Sequence, residues 1–75
     1  MNIGDKVRVL GMPDGLPDNK MLLKLFKGCV GKTFPIAKFD DGLVELHVGE
    51  AFGKPAEYHQ IWLDPSQVEV VEARV

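Results

Sequence analysis

His47, His59 and Cys29 are the only side chains of this sequence soft enough to favour a zinc-like ion. A zinc site needs about four ligands and usually draws on close pairs such as C-x₂-C or H-x₃-H. The histidines stand 12 positions apart, with no second cysteine, so no metal is assigned and both histidines read as ordinary surface or half-buried residues. Cys29, with glycines at 28 and 31, reads as a small core residue rather than a nucleophile. Asp40 and Asp41 are adjacent carboxylates, but Asp-Asp-Gly is turn chemistry and needs no acid–base role to explain it. Gly31-Lys32-Thr33 resembles the end of a phosphate loop. The full G-x-x-x-x-G-K-[ST] pattern requires glycine at position 26, where Phe26 stands, and a helix after it, where the pattern here is that of a strand. Catalysis requires a nucleophile beside a base, or two titrating groups in contrasting environments. No spacing in the chain supplies either, so the expectation is no enzyme and no cofactor.

The remaining chemistry is recognition. Lys20, Lys24 and Lys27 recur at helical spacing on one edge, with Leu23 beside them and Lys32 and Arg8 as further cations. Such an edge can contact phosphates or an acidic protein surface. A solvated face opposite a buried stripe would look the same. Leu23 among the lysines favours a protein partner, since an exposed leucine adds little to phosphate binding. Tyr58 and Trp62 fall on the face opposite Ile61 and Leu63 and offer a peptide or base platform. Alternatively they belong to a second small core, with Phe26 and Leu22 resting on Trp62.

The elements that must hold these residues are short. Val7 and Val9 alternate with Lys6, Arg8 and Leu10, the period of a half-buried strand. Gly11-Met12-Pro13-Asp14-Gly15 is a turn. Residues 18–27 read as one helix, N-capped by Asp18, with Met21, Leu22, Leu25 and Phe26 inward and Gly28 ending it in a left-handed conformation. Between 30 and 39, Val30, Phe34 and Ile36 share a phase that Phe39 breaks. A bulge near Pro35 would account for the change. Asp41-Gly42 predicts a hairpin into 43–48, where Val44, Leu46 and Val48 face one way and Glu45 and His47 the other. A polar loop over 49–56 leads to a strand over 58–63. Asp64-Pro65-Ser66-Gln67 predicts one 3₁₀ turn before a closing strand at 68–71, and 73–75 are expected to fray.

Seventy-five residues, 45% apolar and 27% charged, make one globular domain over 1–75 with a small core. The lone cysteine forbids an internal disulfide and suits a reducing, cytoplasmic setting. No apolar run has the length of a membrane span or the form of a signal sequence, so no membrane partner is expected. The net charge of −2 makes the chain a weak candidate for general polyanion binding.

The Gly4-Asp5-Lys6-Val7-Arg8-Val9 opening, the five short strands and the Asp-Pro-Ser break before the last of them resemble the SH3-like barrels. This implies an all-β barrel of about five short antiparallel strands with one helical insertion at about 18–27. Gly28-Cys29-Val30-Gly31-Lys32 resembles the glycine-centred strand of KOW-type barrels of ribosomal and transcription proteins. The Gly-x-x-Val-Arg-Val opening and the acidic closing strand Gln67-Val68-Glu69-Val70 resemble the electron-transport accessory group. That group contains the nitrile hydratase beta subunit, the ferredoxin–thioredoxin reductase variable chain and the ferredoxin-docking subunit of photosystem I. The first resemblance implies nucleic acid as partner, which the acidic pI near 5.5 disfavours. The second implies an accessory subunit of a redox or metal enzyme. The combined expectation is a non-enzymatic module that binds a protein partner through Lys20, Leu23, Lys24, Lys27, Tyr58 and Trp62.

Overall fold

The structure, a computed structural model, describes residues 1–12 and 18–73. The turn expected over 11–15 falls largely outside these, and so does the end of the tail at 74–75.

Five antiparallel strands form one open sheet in the order β4-β3-β2-β1-β5. They are β1 (Lys6–Val9), β2 (Thr33–Asp40), β3 (Leu43–His47), β4 (Gln60–Leu63) and β5 (Val68–Glu72). The alternation in β1 is realised, with Val7 and Val9 buried and Lys6 and Arg8 exposed. At the β2–β3 turn Asp41 and Gly42 both have positive φ, 51° and 79°. Two left-handed residues match the twist of the flanking strands, which is why Asp-Gly connects them. Ile36 pairs with Leu46 and then Lys38 with Glu45, so Ala37 is the extra residue of a bulge. The phase change therefore sits just beyond Pro35, and it brings Phe39 into register with inward-facing Val44. A second shift lies where β1 meets β5: Lys6 pairs with Glu72 and Val7 with Val70, leaving Val71 without an opposite number.

Inward residues of all five strands meet in one cluster with Val48 and, from the helix, Phe26 and Cys29. Asp64 accepts from Ser66 N and Ser66 Oγ at 2.9 and 2.8 Å. That cap holds the 3₁₀ turn Pro65–Gln67, which links β4 to β5. Two further 3₁₀ turns, Gly49–Phe52 and Ala56–Tyr58, replace the expected loop, and the strand after them starts at Gln60.

The helix α1 runs over Lys20–Cys29, two residues later than its pattern suggested. Asn19, not Asp18, is the N-cap: its Oδ1 accepts from Met21 N and Leu22 N at 3.0 and 3.2 Å. Asn and Asp cap about equally well, so packing decides the frame. Starting at Lys20 aims Leu22, Phe26 and Cys29 (an i, i+4, i+7 stripe) at the sheet. Met21, expected inward, is 84% exposed. Gly28 lies within the helix rather than ending it. The left-handed glycine is Gly31, φ 82°, whose N–H donates to Val9 O at 2.8 Å and ties the chain back to β1. Val30, expected on the inward face of a strand, is exposed and precedes β2.

Candidate functional site

The solvent side of α1 carries the lysine edge in the arrangement its spacing suggests. Lys20, Leu23, Lys24 and Lys27 line one open groove of about 490 Å³ together with Gly28 and Phe52. Leu23 is half-buried among the exposed lysines. Among the described residues none of the three lysines forms an ion pair.

Phe52 is the residue that sequence reasoning missed. It ends the 3₁₀ turn Gly49–Phe52, and its ring lies against the bare face of Gly28, where a Cβ would stand 2.9 Å from ring carbons Cε1 and Cζ. The turn depends on Gly53 in a left-handed conformation, φ 74°, whose N–H donates to Glu50 O. The available signal was a lone large apolar residue inside a Gly- and Pro-containing polar stretch. Phe52 also borders a second groove of about 500 Å³ on the neighbouring flank of α1, beside Met21, Leu22, Leu25 and His59. The aromatic row continues from there. Phe52 and His59 meet edge to face at 5.6 Å, His59 and Tyr58 at 5.2 Å, and Lys54 Nζ stands 5.6 Å from the Tyr58 ring centroid. Tyr58, 63% exposed, thus adjoins the lysine-edged surface through two rings, and Lys54 adds a fourth cation without an ion pair among the described residues.

Trp62 is not the floor under α1. It stands opposite Glu45 on the outward face of the sheet, lines neither groove, and is 38% exposed. Phe52 takes the place by the helix that the alternative reading gave to Trp62, and Phe26 joins the main core. Beside Trp62 lies a charged group: Glu45, 6% exposed, meets His47 Nε2 at 2.8 Å and Lys38 Nζ at 3.8 Å. A carboxylate so enclosed needs partners to offset its lost hydration, and here two cationic or donor side chains supply them.

Cys29 is fully buried, and burial pushes its thiol up to about 11, with nearby Lys32 drawing it part of the way back. A thiol held neutral in the core is inert as a nucleophile. Among the described residues no three of the His, Cys, Asp and Glu side chains gather as a metal site, and no helix is long and apolar enough to cross a membrane. Comparison with protein-family profiles, with curated proteins and with solved structures gives no match.

Proposed function

We propose that the chain is a non-enzymatic binding module whose α1 surface holds an acidic, partly apolar segment of a protein partner. The observation that carries this is the groove in which Lys20, Lys24 and Lys27, all without ion pairs among the described residues, surround Leu23 and Phe52. Apolar floor and cationic rim ask for opposite charge at the edge and an aliphatic or aromatic anchor at the centre. Tyr58 and Lys54 extend the same surface, whereas Trp62 belongs to another face and contributes only if a partner also covers β3 and β4.

The frame for this module is read as an SH3-like barrel. Supporting that reading are the strand order, the two register shifts, whose extra residues lie in β5 and β2, and the short 3₁₀ turn joining the two edge strands. A cytoplasmic setting, and a place as accessory subunit of a larger enzyme, rest on the lone cysteine and the family resemblance respectively.

The test uses labelled protein and three probes: an acidic amphipathic peptide, the same peptide with its acids changed to lysine, and a single-stranded oligonucleotide. The acidic peptide is expected to shift the amides of Lys20, Leu23, Lys24, Gly28 and Phe52, with affinity that weakens as salt rises. The triple variant K20E/K24E/K27E is expected to abolish those shifts. Binding of the oligonucleotide alone, at the same residues, would transfer the site to nucleic acid and end the protein-docking reading.

A further inference from the structure

A third concavity is lined by no residue of α1. A cleft of about 550 Å³ opens on the outward side of the sheet, over the start of β2 and the end of β3. That volume is in the range of small-molecule sites. Neither the α1 lysines nor Phe52 lines it.

Its walls differ in chemistry. Arg8, Lys32 and Thr33 stand on one side, and Arg8 and Thr33 are register partners across β1 and β2. His47 and Glu50 stand on the other, where β3 runs into the 3₁₀ turn Gly49–Phe52, and Pro35 lies between. Two of these side chains are fixed from behind. Arg8 Nη1 donates to Glu69 Oε1 at 2.7 Å, and among the described residues the rest of its donor fork has no side-chain partner. His47 Nε2 lies 2.8 Å from Glu45 Oε2. A carboxylate only accepts, so Nε2 carries the hydrogen and the Nδ1 edge of the ring is left for another partner. Neither Glu69 nor Glu45 lines the cleft. Side chains held in place by partners outside a concavity are the usual support of a preorganised site. Lys32 and Glu50 have no ion pair among the described residues.

We propose that this cleft binds a small phosphomonoester whose other end carries hydroxyl groups. The Arg8 fork, the Lys32 ammonium and the Thr33 hydroxyl can serve the three terminal oxygens of a phosphate, where a carboxylate would offer only two. Opposite them, the Glu50 carboxylate accepts from the hydroxyls, and His47 Nδ1 makes a hydrogen bond to one of them. Pro35 lies beneath the middle of the ligand.

The probes are ribose 5-phosphate, ribose, inorganic phosphate and gluconate, titrated against labelled protein. Ribose 5-phosphate is expected to give saturable amide shifts at Arg8, Lys32 and Thr33 and at His47, Glu50 and Ala51. Inorganic phosphate is expected to move only the first three, and ribose none. Lys32→Ala, whose fold the same spectrum verifies, should weaken ribose 5-phosphate at least about tenfold, the usual loss on deleting a charged hydrogen-bond donor. Glu45→Gln, which relaxes the hold on His47, should weaken ribose 5-phosphate and leave inorganic phosphate unchanged. Equal binding of gluconate would overturn the phosphate assignment. Shifts confined to α1, or no saturation at about 10 mM, where useful affinity has vanished, would overturn the site.

Discussion

Gly28→Ala and Gly49→Ala make the same chemical change at two crowded glycines, and their costs should differ severalfold. At Gly28 the new methyl would stand 2.9 Å from Phe52 Cε1 and Cζ. Carbon contacts settle at about 3.5–4.0 Å, so the ring must withdraw by roughly 0.6–1 Å. It belongs to a half-buried side chain with open groove on two flanks, and losing part of its contacts costs about 1 kcal/mol. Against that, alanine gains part of the roughly 0.8–1 kcal/mol by which it exceeds glycine inside a helix, since Gly28 is the next-to-last residue of α1. The net cost stays below about 1 kcal/mol. At Gly49 the methyl would stand 1.9 Å from Pro55 O, 2.9 Å from Pro55 C and 3.0 Å from Ala56 O. These are backbone atoms, and Pro55 O accepts from Tyr58 N at 2.9 Å. Moving them breaks that bond, about 1 kcal/mol, on top of roughly 1–3 kcal/mol for overpacking. A total of about 2–4 kcal/mol is a large share of the roughly 4–11 kcal/mol expected for a domain of this size. Urea denaturation reads the difference directly. With a slope of about 1 kcal/mol per molar, Gly49→Ala should lower the midpoint by roughly 2–4 M, and Gly28→Ala by less than about 1 M. The Phe52 signals should shift strongly in Gly28→Ala. Equal midpoint losses would refute the distinction between a ring that yields and a backbone that does not.

Asn19→Ala should cost about 1 kcal/mol in the same assay, as loss of a helix cap does, while Asp18→Ala stays within about 0.5 kcal/mol. The reverse order would return the cap to Asp18. Cys29 should resist iodoacetamide at pH 8 in the native protein, where a thiol at about 11 is roughly 0.1% ionised, and react promptly in urea. Fast native alkylation would show that the helix lifts readily from the sheet. Hydrogen bonds from Ser66 N and Ser66 Oγ hold the Asp64 carboxyl below its ordinary range. A depressed folded value stabilises above the unfolded value near ~3.9, and that contribution disappears as pH falls through the folded one. Wild type should therefore melt above Asp64→Asn at neutral pH, with the gap closing below about pH 4. A gap unchanged at pH 2 would refute the charge-based cap.

The strands were readable where one residue decides a turn or a face. Asp41-Gly42 forces a two-residue hairpin, and the conflict between Ile36 and Phe39 announces the Ala37 bulge, because a period of two tolerates no other repair. What lay hidden depends on contacts between distant segments. Gly28 looks like a helix end until Phe52, 24 positions on, is seen to need its bare face. Glu45 sits at an outward position by alternation. Its enclosure comes from Lys38 on one neighbouring strand, Trp62 on the other and His47 two residues along. Of the expected site, the lysine edge with Leu23 came from helical spacing alone. The face of Trp62, opposite Ile61 and Leu63, was also legible from alternation. Spacing within a strand does not say which segment covers it, so the alternative that set it under the helix stayed open until Phe52 was seen there.

The strand β1 lies between β2 and β5, so a segment must wait for a neighbour made some sixty residues later. Until residues 68–72 are made, Val7 and Val9 have only one neighbour strand, and the edge that β5 will cover is open to other chains. Loop closure over some sixty residues also places this protein among slow folders for its size. A nick within β5 would therefore do its damage some sixty residues away, by exposing β1.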